Sequence, residues 1–214
     1  MLIALPKGGA IFYQGEMGMD ILQQCAWNFD RLTNIRYRMI IGRKKRTLEL
    51  VLTFDGAEFH HLAGLHKLKS NLMVRTVPHL TLFERLLAGR WSLENIAHED
   101  EFPLIRDRIA YLAGLEDFLD SNRLVFRFDY RRAYPSVLKA DFLLQNDVDG
   151  EVLYLFLAKR RESDAYVCKS FFPKAGKDYA KGQERYTLLY KEKTNLLTGE
   201  TVVQYDKWIR ENAD

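Results

Sequence analysis

Along this chain the period of the hydrophobic positions changes more than once, and each change predicts a different kind of element. Between Gly15 and Leu32 the residues Met19, Leu22, Ala26 and Phe29 recur at three- and four-residue steps, with Ile21 and Cys25 widening the stripe, which predicts an amphipathic helix. Branched and aromatic residues then dominate from Ile35 to Ile41 and from Thr47 to Phe54, as strands require. The basic run Gly42-Arg43-Lys44-Lys45-Arg46 between them reads as a hairpin tip. Asp55 is placed to cap a further helix that carries Phe59 to Leu68, FHHLAGLHKL. A helical middle follows at Leu80 to Ala88, at Ser92 to His98 with Ser92 as cap, and at Pro103 to Leu119 with Pro103 in the first turn.

From Arg123 onward the pattern is that of antiparallel strands: Arg123 to Phe128, Val137 to Leu144, Glu151 to Ala158, Ala165 to Phe172 and Arg185 to Lys191. Turn residues such as Asn146-Asp147-Val148-Asp149-Gly150 separate them. Val152 to Leu157 is apolar on both alternating faces, which suits a central strand. Thr201 to Gln204 predicts a short edge strand before a C-terminal helical turn. With no internal repeat, low-complexity tract or linker, the chain reads as a single α+β domain over residues 1–214. Its expected parts are an N-terminal helix and β-hairpin, a helical insertion at about residues 76–120, and a C-terminal antiparallel sheet.

A hydrophobic content of 47% is ample for a core. Cys25 and Cys168 stand far apart and in no metal-ligand spacing, so neither a disulfide framework nor a zinc knuckle is expected, and a reducing cytoplasm is the natural compartment. The opening MLIALPKGGAIF is apolar but has no basic leader, long hydrophobic centre or small-residue cleavage site, so it is not expected to be a secretion signal. The longest apolar run, Val152 to Ala158, falls far short of the roughly 20 residues that span a bilayer, and no membrane association is expected.

The net charge is only +3, but it is unevenly spread. Arg31 to Arg46 holds seven basic residues and no acid, and Lys159 to Lys193 holds ten basic against five acidic, so the chain is polarised in sequence. Such runs suit contact with a polyanion, and they equally suit solvated strand faces and turn tips.

Three of the five histidines lie in FHHLAGLHKL. On a continuous helix with Phe59 at zero, His61 falls near about 200° and His66 near about 340°, inside the apolar arc, while His60 and Lys67 fall outside it near about 100° and 80°. His61, at the arc's margin, can pack on Leu65 or Leu68 and still reach solvent; both a structural and a functional role remain open for it and for His66. Two histidines chelate from one helix at three- or four-residue spacing, and that spacing is missing, so no metal site is expected.

No GxSxG, GxxxxGK[ST] or GxGxxG occurs, so serine hydrolase, ATPase and dinucleotide readings have no motif, and no cofactor is expected. The late segment SFFPKAGKDYAKGQERY, Ser170 to Tyr186, sets Lys174, Lys177 and Lys181 around Gly176 and Gly182 with Tyr179 and Gln183 interleaved. Cations on a flexible backbone can cradle phosphate, and a tyrosine can stack on a base. A soluble hairpin loop would have the same composition.

Taken in order, the N-terminal helix, two strands ending in LELVLTFD, FHHLAGLHKL, the helical middle and the SFFP...DY...Q...Y segment resemble the fourth phage subfamily of the barnase, EndoU, colicin and RelE-like nuclease superfamily. The resemblance covers about Glu16 to Thr194 and is most specific at His61-Leu62-Ala63-Gly64-Leu65 with Leu68. It implies a helix packed on a four-stranded antiparallel sheet and a metal-independent ribonuclease carried by phages or other mobile elements as a toxin-like effector. By this resemblance His61 is the catalytic acid/base and Ser170, Tyr179 and Gln183 match the polar site positions, with Lys169 and Lys67 as looser matches. Lys169, Lys177 or Arg185 would offset phosphate charge; the expected RNA-contacting set is Arg43, Lys44, Lys45, Arg46, Lys67, Lys174, Lys177, Lys181 and Arg185. The expected partner is RNA, with an immunity or antitoxin protein as a further one. Two other functions fit the same residues: an RNA-binding accessory protein that has lost catalysis, and a phage structural or partner-binding protein.

Overall fold

The computed structural model describes residues 18–133, 136, 138–148, 150–161 and 163–207. The first helix, α1 (Ile21–Thr33), is fixed by a capping box: Gln23 N donates to Asp20 Oδ1 at 2.9 Å and Asp20 N to Gln23 Oε1 at 3.1 Å. The predicted start of this helix, residues 15–17, lies outside the described residues. Leu22, Cys25, Ala26, Phe29 and Leu32 form its buried stripe. The hairpin β1 (Ile35–Arg43) and β2 (Arg46–Leu52) follows, with Arg43 opposite Arg46. Lys44 and Lys45 both have positive φ, 50° and 63°, the geometry of a two-residue turn that Asn-Gly adopts with less strain.

The helical part is more broken than periodicity predicts. Helices α2 (Phe59–Leu62), α3 (Leu72–Thr76), α4 (His79–Leu87), α5 (Pro103–Leu112) and α6 (Leu115–Ser121) are short. The expected helix at Ser92 to His98 is only a 3-10 turn, Leu93–Asn95, and Gly114 divides the expected Pro103 to Leu119 helix in two. Strands β3 (Leu124–Arg127), β4 (Phe142–Val148), β5 (Glu151–Lys159), β6 (Tyr166–Pro173), β7 (Glu184–Asn195) and β8 (Thr201–Asp206) complete the chain. β4 starts at Phe142, later than expected, and Val137 lies outside the described residues. Gly150, at φ +82°, turns the chain into β5, which lies between β4 and β6 with Leu153 to Leu157 all buried. The expected C-terminal helical turn falls almost wholly outside the described residues.

The expected α+β arrangement, with a C-terminal antiparallel sheet beside a separate N-terminal hairpin, is overturned. The strands run in the order β1-β2-β6-β5-β4-β3-β7, and β7 pairs back onto β1, closing a seven-stranded barrel with β8 as an extra strand on β7. Closure rests on two long-range contacts. The first is antiparallel, Ile35↔Asn195 through Gly42↔Thr187, with a bulge at Leu189, whose Cδ1 lies 2.8 Å from where a Gly42 Cβ would stand. The second is a brief parallel seam, Leu52↔Tyr166, with Thr53 N donating to Tyr166 O at 3.1 Å. Hydrophobic periodicity names strands but not their partners, so closure was not readable from it.

One face of the strands shares a core with the helices: Tyr37, Met39, Leu50, Leu52, Leu155, Leu157 and Phe171 pack with Leu22, Phe59, Phe83, Ile105 and Phe118. On the other face Leu143, Tyr154 and Phe156 are covered by Phe128, Leu138, Tyr179 and Ala180. The two cysteines are buried and free. Lys191 is buried on β7, and its Nζ donates to the carbonyls of Leu119 (2.7 Å), Asp120 (2.6 Å) and Asn122 (2.9 Å), so one ammonium satisfies the end of α6 and ties it to the barrel.

Two stability measurements check this account. Lys191→Met leaves three carbonyls without a donor and lowers the unfolding free energy by about 1–3 kcal/mol in urea denaturation. The double change Lys44→Asn, Lys45→Gly relieves the positive-φ strain and raises it by about 1–2 kcal/mol in the same assay.

Candidate active site

The stretch FHHLAGLHKL does not form one helix. After a 3-10 turn at Gly56–Glu58, capped by Asp55, α2 ends at Leu62; Gly64 takes φ +78°, and a second 3-10 turn, Leu65–Lys67, continues in a new direction. The helical wheel therefore holds only as far as Ala63. His60, expected outside the apolar arc, is 3% exposed, whereas His66, expected inside it, is exposed. The turn at Gly64 also brings the rings together: His61 and His66 have centroids 5.0 Å apart, and His79 of α4 stacks on His60 at 3.7 Å and 7°. Among the described residues no group of three or more histidine, cysteine or carboxylate side chains is arranged to hold a metal ion.

His61 is half-buried, and neither ring nitrogen is hydrogen-bonded to a described residue. Its pKa lies below the ordinary imidazole value because burial disfavours the charged form, and the charges of Lys169 and His79 add to this. Lys169 reaches this neighbourhood through a β-bulge: Phe156 pairs with Ser170 and Leu157 with Cys168, leaving Lys169 as the extra, exposed residue. His66 is pushed down to about 4, first by desolvation and then by the positive charges of His61, Arg108 and Lys67.

Arg108, on α5, is the side chain that sequence reasoning missed. Its Nη1 donates to Ser170 Oγ at 3.0 Å, its guanidinium carbon lies 4.7 Å from the Phe172 ring centroid, and its Cδ lies 2.8 Å from where a Cβ on Gly64 would stand. Burial lowers its pKa to about 10, with Tyr179 acting weakly in the opposite direction. Nothing in the local sequence IRDRIA distinguishes Arg108 from Arg106, which pairs with Asp107 at 3.4 Å; only the packing of α5 on β6 does.

The expected site residues divide between two places. His61 lies on α2, which packs against β6, where Lys169 sits in the bulge; Ser170, only 6% exposed, is bonded to Arg108, and Tyr179 packs on Phe172, the same ring that carries the Arg108 guanidinium. Gln183 lies elsewhere: its amide donates to Asp129 O at 3.1 Å and its carbonyl accepts from Asp129 N at 2.9 Å, within a second groove that includes Arg127, Arg131 and Arg132. The Tyr179 ring is wedged edge-on among Tyr154, Phe156 and Phe172, a packing role that periodicity could not reveal.

The expected RNA-contacting cations are similarly divided. Arg43 pairs with Glu184 at 3.3 Å, placing the hairpin tip with exposed Lys44, Lys45 and Arg46 against the start of β7, where Arg185 is also exposed. Lys67 donates to Leu104 O at 3.3 Å beside Arg108. Lys174 is bound to Asp178 at 2.9 Å, and Lys177 donates to Ala133 O while its ammonium lies 5.0 Å from the Tyr179 centroid. Asp178 also accepts from Tyr154 Oη at 3.1 Å and from the backbone of Ala180 and exposed Lys181, so this loop is anchored by one carboxylate.

Imidazoles, a guanidinium and two ammonium groups that gather without a carboxylate partner among the described residues have the electrostatic makeup of a protein that handles anions. Over residues 21–208 the chain matches the family model described as phage-Barnase-EndoU-ColicinE5/D-RelE like nuclease4, PBECR4, and it belongs to that nuclease family. No curated protein and no solved structure matches the chain. No helix among the described residues is long and apolar enough to cross a membrane.

The buried stack predicts a pH dependence. Burial, with the charges of His79, His61 and His66, pushes the His60 pKa down to about 3, and its Nδ1 has no hydrogen-bond partner. Because the folded value is below the unfolded one, the unfolded chain takes up the proton first, so stability is complete above about pH 6.5 and is lost as the pH falls toward the folded value. At pH 4.5 the loss is about 2–3 kcal/mol in chemical denaturation, and His60→Gln flattens that dependence.

Proposed function

We propose that the protein is a metal-independent endoribonuclease, acting as a toxin-like effector of a phage or other mobile element. The RNA's own 2'-hydroxyl attacks the adjacent phosphorus, the P–O5' bond breaks, and the products are a 2',3'-cyclic phosphate and a free 5'-hydroxyl. His61, neutral at pH 7, takes the proton from the 2'-hydroxyl, a role worth about 10²–10⁴-fold; the departing O5' takes a proton from solvent water to become the 5'-hydroxyl, and the imidazolium returns its proton to the hydroxide so formed. Lys169 offsets the charge that builds on the nonbridging oxygens. The observation that carries this reading is the position of His61: half-buried, with no hydrogen-bond partner among the described residues, on a helix that packs against β6, where a bulge delivers Lys169, whose charge it feels. The basic hairpin tip and Arg185 supply a separate surface for flanking phosphates.

A second reading, an RNA-binding accessory protein without catalysis, is favoured by two observations. The Ser170 hydroxyl is buried against Arg108, and both ends of the Gln183 amide are occupied by Asp129. Product analysis separates the two, since only the first yields a cyclic phosphate.

In assays of the purified chain on end-labelled RNA, His61→Ala is expected to lower cleavage by about 10²–10⁴-fold, and EDTA is expected to leave the wild-type rate unchanged. Wild-type activity in His61→Ala would remove the centre of the proposal. Because the Lys169 charge lowers the His61 pKa, the acid limb of kcat/KM lies below the ordinary imidazole pKa and moves to higher pH in Lys169→Gln. A limb that stays in place separates Lys169 from the titrating group.

A further inference from the structure

Lys191, Lys193 and Arg160 are likewise buried or half-buried, and each has its charge or its hydrogens accounted for. Lys191 gives all three hydrogens to backbone carbonyls, Lys193 meets Glu116 at 2.7 Å and Asp120 at 2.8 Å, and Arg160 meets Glu58 at 2.7 Å. Arg108 differs. Of its five N–H donors one is given to the Ser170 hydroxyl, its flat face rests on Phe172, and no carboxylate among the described residues pairs with it. Its neighbours, His66 and Lys67, are themselves bases whose charged forms Arg108 disfavours. Partial burial of a guanidinium among like charges is unfavourable unless an anion completes the set.

We infer that Arg108 seats the scissile phosphate, directing its unused donors at the nonbridging oxygens beside His61. This rests on the nuclease reading above and adds to it the residue that holds the reacting group. The planar fork of arginine matches two phosphate oxygens at once, and Phe172 and Ser170 fix its orientation before substrate arrives. Ser170 thereby becomes a positioning residue acting through Arg108. The glycine of HLAGL acquires a second role, since any side chain at Gly64 would strike the Arg108 stem and Ile105 Cγ2, 3.0 Å away.

The test uses the full chain with a single-stranded 2'-O-methyl oligoribonucleotide, which binds without being cleaved, and with the matching unmodified RNA. Arg108→Gln is expected to reduce the dependence of log affinity on log salt by about 0.7 and to slow single-turnover cleavage by about 10²–10³-fold. Arg108→Lys retains the charge and the salt slope but is expected to lose at least about 10-fold in cleavage, because it lacks the fork. Melting temperatures and near-ultraviolet circular dichroism identify any variant that fails to fold, and the lysine variant, which keeps the apolar stem, then carries the test. An unchanged slope and rate in a folded Arg108→Gln, with His61→Ala inactive, overturns this inference and leaves the nuclease reading intact. A wild-type chain that binds with the expected slope change but cleaves no RNA supports Arg108 as a phosphate seat and overturns the nuclease reading. Absence of oligonucleotide binding by the wild type overturns both.

Discussion

Strand β7 serves three partners at once. Its first residues, Glu184 to Thr187, pair with β3, and beyond the end of β3 the same edge is taken over by β8 from Tyr190 to Thr194. The other edge holds β1 along most of its length. Remove that third pairing and the hairpin β1-β2 is attached only through the short seam at Leu52 and Tyr166. The barrel would then be an open sheet with two exposed edges. Lys191 and Lys193 extend the influence of this strand to α6, whose position sets the end of the helical layer that supports α5. The candidate site is assembled by the packing of helices on strands, since Arg108 on α5 meets Ser170 on β6 where the two share one core.

Charge acquires its meaning from the same closure. The block Arg31 to Arg46 looks unopposed along the chain, yet Arg38 meets Glu49 at 2.7 Å and Glu192 at 3.7 Å, Arg43 meets Glu184, and Arg31 lies 3.8 Å from Glu116. Exposed pairs of this kind contribute little to stability, but they cancel field locally. Positive potential is left where acids are not brought in: at the hairpin tip, and around His61, Arg108 and Lys169.

The site is built with the economy of a small motif inserted between large elements. Gly64 ends a short helix, turns the chain so that His66 comes back toward His61, and leaves room for a side chain from a helix more than forty residues on. A bulge in β6 adds one residue, Lys169, out of register with its neighbours. Both are departures from regular geometry at the candidate site, which is where local rules are expected to fail. FHHLAGLHKL illustrates the failure: reading it at 100° per residue misplaced His66, because one residue with positive φ invalidates every angle after it, while His60, ahead of that turn, is covered by the stacked His79 ring from α4.

By itself the sequence determined what depends on neighbours a few residues away. The α1 stripe, the β1-β2 hairpin with its basic tip and the buried run Leu153 to Leu157 of β5 are all local patterns, set by side-chain periodicity and turn chemistry. Tertiary structure alone decided which strands pair, that the sheet closes, that Gln183 turns away to Asp129, and that Arg108 meets Ser170 from 62 residues away. Hydrogen bonds between strands are made by backbone groups that every residue carries, so the choice of partner is fixed by how the apolar faces fit once the whole chain has condensed, and that fit has no short-range signature.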